Sequence, residues 1–256
     1  MVEVTPLQIA LLCVAALTAG VVDAIAGGGG LVTMPVLLAT GLPTHLVLGT
    51  NKGQSVFGAF AALVRYARAG LVRGKLAAVT FPLGLAGSFL GAWLVLKLRP
   101  EVLKPLVLAL LVIVAAFLAF RRGPPPEERP EPPLRRMLTL GGVIALLIGT
   151  YDGFFGPGTG TFLIIAFSGL LGHGLTRASA DAKVVNFASN VAAVSLFAYR
   201  GVVLWYVALP MAAAQFTGAW IGAHLAVRGG DKLVRKVVLL VVTALVIKLG
   251  RDVFAG

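Results

Sequence analysis

The sequence predicts an all-α polytopic membrane protein that consists of two homologous halves. Of its 256 residues, 58% are apolar and only 12% are charged, whereas charged residues make up about 25% of a soluble domain. The apolar residues form runs close to the roughly 20 residues that a helix needs to cross hydrocarbon. The pattern of these runs occurs twice. We therefore expect a multi-pass helical protein whose apolar exterior faces lipid.

A polar segment divides the chain. Residues 121–136 read RRGPPPEERPEPPLRR, and this stretch is rich in proline and charge. Proline has no backbone N–H and interrupts helices, so the segment is predicted to be a water-exposed cytoplasmic linker. It separates a first transmembrane repeat, residues 1–120, from a second, residues 137–256.

The two halves resemble each other at a constant shift of 131 residues. This shift superimposes Lys52 on Lys183, whereas Asp23 and Asp152 align only with a two-residue slip. It also superimposes glycines at 27 and 158, 29 and 160, 41 and 172, 70 and 201, 87 and 218, and 91 and 222. Agreement at so many glycines and at one lysine indicates an internal duplication.

Each half contains five apolar segments. They are predicted at 6–26, 30–42, 45–66, 75–97 and 102–120, and at 134–154, 160–172, 175–199, 202–227 and 232–250. The second segment of each half has about 13 residues, too few to span hydrocarbon as a straight helix. We expect it to be a half-helix or a re-entrant segment, which gives eight to ten membrane helices in total.

Lysine and arginine counts predict the orientation, because cytoplasmic loops are enriched in both. The gaps 65–75 and 228–236 and the linker are basic, which places all three in the cytoplasm and the N-terminus outside. Five crossings per half then make the halves inverted repeats, a plan common among carriers. Lys97, Arg99 and Lys104 oppose this scheme. Eight crossings with parallel halves are the alternative.

Glycine-rich breaks follow Asp23 and Asp152. Interrupted backbone is tolerated in a membrane only against protein or a watery cavity, and the helix start after each break offers free amides and a positive dipole end to an anion. The candidate substrate-binding residues of the breaks are Gly28, Gly29, Gly30, Gly158, Thr159, Gly160 and Thr161. The alternative is that these glycines only permit close helix packing.

The third segments carry Lys52 and Lys183, whose ammonium groups offer full charge and three donors each. Ser179, Lys183, Asn186 and Asn190 share one helical face through their spacing. The further candidate binding residues on the two segments are Asn51, Ser55, Asn186 and Asn190. Two such faces that meet near the midplane would form a cationic pocket for a small oxyanion. Alternatively, each lysine pairs with an aspartate and holds helices together.

Other classes of function lack their signatures. Cys13 is the only cysteine, and the three histidines are far apart, so no metal ligand set, cofactor site or nucleophile–base pair is expected, and the chain is predicted not to be an enzyme. The net charge of +12 falls mostly in loops, which argues against nucleic acid as a partner. Small-xxx-small patterns predict helix packing or, alternatively, a homodimer seam; they are Gly87/Gly91 and Gly218/Gly222.

The glycine and lysine segments resemble the sulfite exporter TauE/SafE family, also called the toluenesulfonate uptake permease group. The resemblance rests on the glycine stretch 27–30, GTNKGQS at 49–55, the RAG turn at 68–70, YDGFFGPGTGTF at 151–162 and ADAKVVNFASN at 180–190. The last two are similar to a branch described mostly as membrane transporters. The resemblance implies an inner-membrane secondary carrier, an exporter of sulfite, sulfonates or related anions that is driven by protons. Many members are drawn with eight crossings.

A carrier coupled to protons needs a protonatable group. Burial raises a carboxyl pKa and a neighbouring lysine lowers it, so the candidates are the three aspartates of the apolar segments, Asp23, Asp152 and Asp181. Asp181 lies about 200° around its helix from Lys183, so these two are not expected to pair. A passive anion channel and a carrier of another small organic anion are the alternative functions.

Overall fold

The structure is a computed structural model that describes residues 4–120 and 130–254, and within these ranges the side chains at 115, 118–120 and 238–254 are left aside. Most of the predicted linker, residues 121–129, lies outside the described residues. Residues 130–133 are non-helical, and the next helix begins at Leu134.

Every regular element within the described ranges is an α-helix. The helices are α1 (Pro6–Ala26), α2 (Gly30–Ala39), α3 (Thr44–Arg68), α4 (Gly74–Leu96), α5 (Pro100–Phe120), α6 (Leu134–Phe154), α7 (Thr159–Leu171), α8 (Leu175–Tyr199) and α9 (Trp205–Phe254). Gly230, with φ 57° and ψ −161°, breaks α9. The pieces 205–229 and 231–254 correspond to the last two predicted segments, and the all-α prediction is confirmed.

Helix lengths separate spanning helices from short ones. The 10 residues of α2 and the 13 residues of α7 are about 15 and 20 Å long at 1.5 Å per residue, well short of a hydrocarbon layer of about 30 Å. The prediction that both segments are short is confirmed. Among the described residues, α1, α4 and α6 are long and apolar enough to cross a membrane.

The turns of the first half return in the second. Glycines at matching positions adopt left-handed φ angles, which residues with a Cβ disfavour: 79° at Gly27 and 84° at Gly158, 79° at Gly41 and 73° at Gly172, and 71° at Gly70 and 69° at Gly201. The shift of 131 residues therefore reflects turns that the two halves share. The inverted orientation of the halves stays a prediction.

The two halves are tied together by crossed packing. Helix α1 packs mainly against α9, and α4 packs mainly against α6, while α3 contacts α9 and α4 contacts α8. The first helix of each half therefore lies against the fourth helix of the other half. The site between the halves consequently draws on residues from both.

Small residues make these close approaches possible. A Cβ on Gly91 of α4 would lie 2.0 Å from the Thr150 carbonyl oxygen of α6, and one on Gly222 of α9 would lie 2.4 Å from the Val21 carbonyl oxygen of α1. The predicted packing role of the small-xxx-small glycines is thus confirmed within the chain. The homodimer stays a prediction.

The polarity of the molecule is arranged for lipid. Large apolar side chains are widely exposed on the outside, among them Leu7 at 72% and Leu147 at 64%, whereas charged Lys52 and Lys183 are buried at 3% and 0%. Soluble proteins almost never bury charged side chains fully unless they are paired. An apolar exterior around these buried charges fits a membrane protein.

Candidate functional site

The two helix breaks lie directly against each other. The hydroxyl of Thr161, at the start of α7, donates to the Ala26 carbonyl at the end of α1 (2.8 Å), and the Thr161 amide donates to the Gly27 carbonyl (3.3 Å). A Cβ on Gly27 would lie 2.1 Å from the Gly160 carbonyl carbon, so no larger residue fits there. The break after α1 and the start of α7 are therefore in direct contact between the two halves.

Two ion pairs cross between the halves at this point. Lys52 on α3 donates through Nζ to Asp152 Oδ1 on α6 (2.7 Å), and the two side chains are each 4% exposed. Lys183 on α8 donates to Asp23 Oδ2 on α1, also at 2.7 Å. Each lysine thus pairs with the aspartate of the other half. The predicted alternative of lysine–aspartate pairing describes the arrangement found, and the charges of the four groups cancel.

Asp152 is held by further donors. Its Oδ1 accepts a hydrogen bond from the Thr159 hydroxyl of α7 (3.0 Å), and its Oδ2 accepts one from Ser189 of α8. Gly156 lies beside this cluster with φ 99°, and a Cβ there would lie 3.1 Å from Lys52 Nζ. The loop between α6 and α7 therefore wraps closely around the Lys52–Asp152 pair.

Asp23 is bound by fewer hydrogen-bond donors than Asp152. Besides Lys183, the Gly29 amide before α2 donates to its Oδ1 at 3.3 Å. Lys183 also donates to Asn186 Oδ1 at 3.4 Å, a contact at the limit of a hydrogen bond. Asp23 is the more accessible of the two paired aspartates, with 18% of its side chain exposed against 4% for Asp152.

Amide side chains extend the polar network. Asn51 Oδ1 accepts hydrogen bonds from the Thr33 hydroxyl of α2 (2.7 Å) and from Gln54 Nε2 (3.1 Å). On α8, Asn190 Nδ2 donates to the Asn186 carbonyl (2.8 Å). The Thr33–Asn51 bond connects α3 to the short helix α2, and the other two bonds lie within α3 and α8.

A cavity of about 30 Å³ lies where these groups meet, with room for about two water molecules. Its lining is Asp23, Gly27, Gly30, Asn51, Lys52, Ser55, Asp152, Gly156, Thr159, Gly160, Asn186, Asn190 and Gln215. Ten of the sixteen predicted site residues therefore line one cavity. Both short helices begin in its wall, so their dipoles point into it.

Six predicted residues lie outside this lining. Lys183 is fully buried behind Asp23. Gly28 and Gly29 form the turn into α2, Gly158 packs against Val114, and Thr161 binds Ala26. Asp181, the sixth, lies elsewhere on α8. Its Oδ1 accepts a hydrogen bond from the Arg73 amide (3.1 Å), and its Oδ2 lies 3.1 Å from His173 Nδ1. The expectation that Asp181 and Lys183 do not pair agrees with this placement.

The sequence prediction missed Gln215 of α9. This residue is 2% exposed and lines the cavity, and its Oε1 has no hydrogen-bond partner among the residues that the structure describes. A polar residue inside the apolar run WYVALPMAAAQFTGAW was the available signal. Within the described part of the chain, no group of three or more His, Cys, Asp or Glu residues is placed to hold a metal ion.

Comparison with known proteins places this architecture in a family. Residues 12–249 match the family model described as "Sulfite exporter TauE/SafE". No solved structure matches the chain.

Relatives of similar length support the same assignment. The chain is 40% identical to "Probable membrane transporter protein ORF9" of a Sinorhizobium species, over 95% of this chain and 93% of the relative. It is 37% identical to a "Probable membrane transporter protein" of Haemophilus influenzae, over 91% and 90%. It is 35% identical to "Probable membrane transporter protein YfcA" of Escherichia coli K12, over 97% and 92%. The chain therefore belongs to the sulfite exporter TauE/SafE family of membrane transporters.

Proposed function

We propose that this protein is a multi-pass, proton-coupled secondary transporter of the inner membrane that exports small sulfur-containing anions, such as sulfite or organosulfonates, when the outward anion gradient exceeds the proton gradient. The observation that carries the proposal is the pair of crossed lysine–aspartate bridges around a cavity into which two helix N-termini point. The family name supports the choice of sulfite and of export.

The hydrogen-bond donors of the lining support an anionic substrate. Lys52 supplies an ammonium group, and Asn51, Ser55, Asn186 and Asn190 supply amide and hydroxyl donors. The starts of α2 and α7 add partial positive charge at the same place. An oxyanion with three or more oxygen atoms can accept hydrogen bonds from several of these donors at once.

The ion pairs support a coupling of transport to protons. Each ammonium already has a carboxylate at 2.7 Å, so the four charged groups sum to zero. An uncompensated charge inside the membrane is costly, at least about 2.5 kcal/mol on insertion scales. A monoanion that enters together with one proton, which neutralises one aspartate, keeps this sum unchanged. The loaded and empty sites then have the same charge, and both can change access between the two sides.

Two halves with crossed packing suit alternating access. The cavity is lined by α1, α2 and α3 from one half and by α6, α7, α8 and α9 from the other. Rocking of one half against the other would open it first to one side and then to the other. Inverted repeats, with the linker 121–136 in the cytoplasm, would relate the two open states by the internal symmetry.

Counterflow in proteoliposomes tests this function. Vesicles loaded with sulfite, thiosulfate, methanesulfonate or acetate receive trace labelled substrate, and the parent is compared with Lys52→Ala and Lys183→Ala. We expect exchange of the sulfur anions by the parent and at least a tenfold loss in both variants. Lys75→Ala, which removes an exposed lysine outside the site, is the matched control and keeps the parental rate.

Three outcomes would contradict the proposal. If the parent exchanges acetate and none of the sulfur anions, the substrate class is wrong. If both lysine variants exchange like the parent, the site is wrong. If the parent never accumulates substrate against its gradient under an imposed pH difference, the coupling to protons is wrong, and a parent that also shows no counterflow while it conducts the anion is a passive channel.

A further inference from the structure

We propose that Asp23, and not its repeat counterpart Asp152, takes up the proton that accompanies the anion. This assignment rests on the proposed function and deepens it. The two aspartates occupy matching places in the two halves, and each binds the lysine of the other half. They differ in the donors that surround them and in their exposure, while Gln215 lines the cavity that both share.

The two carboxylates differ in the number of donors that bind them. Asp152 accepts hydrogen bonds from three side-chain donors, Lys52, Thr159 and Ser189. Hydrogen bonds to the charged form of a carboxylate favour that form. Asp23 accepts a 2.7 Å bond from Lys183 and a weaker 3.3 Å bond from the Gly29 amide. Protonation of Asp23 therefore disturbs fewer hydrogen bonds than protonation of Asp152 would.

The repeat explains this difference in sequence terms. At the shift of 131 residues, the hydroxyl donors Thr159 and Ser189 correspond to Gly28 and Gly58. The duplication thus keeps an aspartate and a lysine in each half. At the two positions whose hydroxyls bind Asp152 in the second half, the first half has glycine. Since glycine has no side-chain donor, Asp23 cannot acquire the shell that Asp152 has.

The carboxamide of Gln215 occupies the space above Gly58. A Cβ on Gly58 would lie 2.6 Å from Cγ of Gln215, whose side chain therefore occupies this place. Gln215 lines the same cavity as Asp23, and its buried Oε1 has no donor within the described part of the chain. A protonated Asp23 brings an O–H donor into that cavity, where an unsatisfied amide oxygen can accept it.

The charges around Asp23 complete the argument. Lys183 faces it from α8, Lys52 and Asp152 face the shared cavity, and the Tyr66 hydroxyl of α3 donates to the carbonyl of neighbouring Ala24 (2.9 Å). Helices α2 and α7 carry no titratable residue. When Asp23 is protonated, Lys183 loses its counter-ion directly behind the cavity wall. The site then has one net positive charge for a monoanion, while Lys52 remains neutralised by Asp152.

Matched double variants test the assignment without changing the charge of the site. Asp23→Asn with Lys183→Met removes one pair, and Asp152→Asn with Lys52→Met removes the other. The probe is equilibrium binding of labelled methanesulfonate to purified protein between pH 5.5 and 8.5, since this ion keeps its single charge throughout. Uptake of one proton per anion weakens binding about tenfold per pH unit above the titration midpoint.

We expect the parent and the Asp152/Lys52 variant to show this tenfold dependence, the latter with weaker binding overall. The Asp23/Lys183 variant should bind with an affinity that does not depend on pH. Dependence lost in the Asp152/Lys52 variant, or retained in both or lost in both, overturns the assignment to Asp23 while leaving the proposed function in place. A parent that binds no sulfur anion overturns the proposed function itself.

A second arm keeps both carboxyl groups. Asp23→Glu retains a titratable group but alters its distance to Lys183, so we expect it to shift the midpoint of the binding curve along the pH axis. Asp152→Glu should leave that midpoint where the parent has it. A shift in Asp152→Glu with none in Asp23→Glu would contradict the proposal.

Discussion

The Lys52–Asp152 pair provides the sharpest test of how the interior charges are balanced. At 2.7 Å, with both side chains 4% exposed, the attraction amounts to about 6 kcal/mol at an effective dielectric constant of about 20. Removal of one partner leaves the other buried and uncompensated, which costs about 3–5 kcal/mol. Lys52→Met should lower the free energy of unfolding by about 3 kcal/mol, the lower end of this range, because Thr159 and Ser189 still bind Asp152.

Asp152→Asn should be the more damaging single change, near about 5 kcal/mol, because it takes away the carboxylate that Lys52 binds. The double variant with both changes leaves no buried charge at this pair. We therefore expect the double variant to be more stable than Asp152→Asn alone. A chain of this length loses about 2–4 °C of melting temperature per kcal/mol, so the single variants should melt about 6–20 °C lower than the parent.

Thermal unfolding of the detergent-purified protein, followed by tryptophan fluorescence, measures these shifts. Lys75→Met removes an exposed lysine and serves as the control, with an expected effect within about 0.5 kcal/mol. The reasoning is refuted if the shifts of the two single variants simply add in the double variant, because additivity would mean that the two groups do not interact.

Two further predictions concern packing and the segment before α6. Gly91→Ala should lower the free energy of unfolding by about 1–3 kcal/mol, because its Cβ would overlap a carbonyl of α6. Gly74→Ala is the control and should leave stability unchanged, because no heavy atom lies within 4 Å of its Cβ. Identical melting curves for the two variants would contradict the packing argument. Hydrogen bonding from Arg73 lowers the pKa of Glu131, so this contact stabilises the folded chain above the ordinary glutamate pKa and is lost as the pH falls through the lowered value. Glu131→Gln should therefore reduce the difference in folding stability between neutral and acidic pH. A difference as large as that of the parent would contradict this prediction.

The sequence predicted helix positions well because the physical signals are local. Apolar runs and glycine or proline breaks mark where a helix can begin or end, and the structure places α1 and α6 at the residues predicted, 6–26 and 134–154. The short segments followed from length alone. The repeat could be detected in the sequence because a turn strongly constrains which residues it accepts. Gly70 and Gly201, for example, occupy matching turns and both have left-handed φ angles.

The site was predictable only in part because its contacts cross between the halves. Charge and spacing identified Lys52, Lys183, Asp23 and Asp152, yet nothing in the order of residues states that each lysine meets the aspartate of the other half. That pairing depends on how α1 packs against α9 and α4 against α6. Gln215 was missed for the same reason, since its place in the cavity follows from tertiary packing against Gly58.

Transport driven separately by a pH gradient and by a membrane potential shows whether one proton enters with each monoanion. We expect this coupling because the paired charges of the empty site sum to zero. In sealed vesicles that contain the purified parent protein, methanesulfonate should accumulate under a pH difference alone, and a potassium–valinomycin potential alone should cause no accumulation. Accumulation driven by the potential, with none driven by the pH difference, would contradict it.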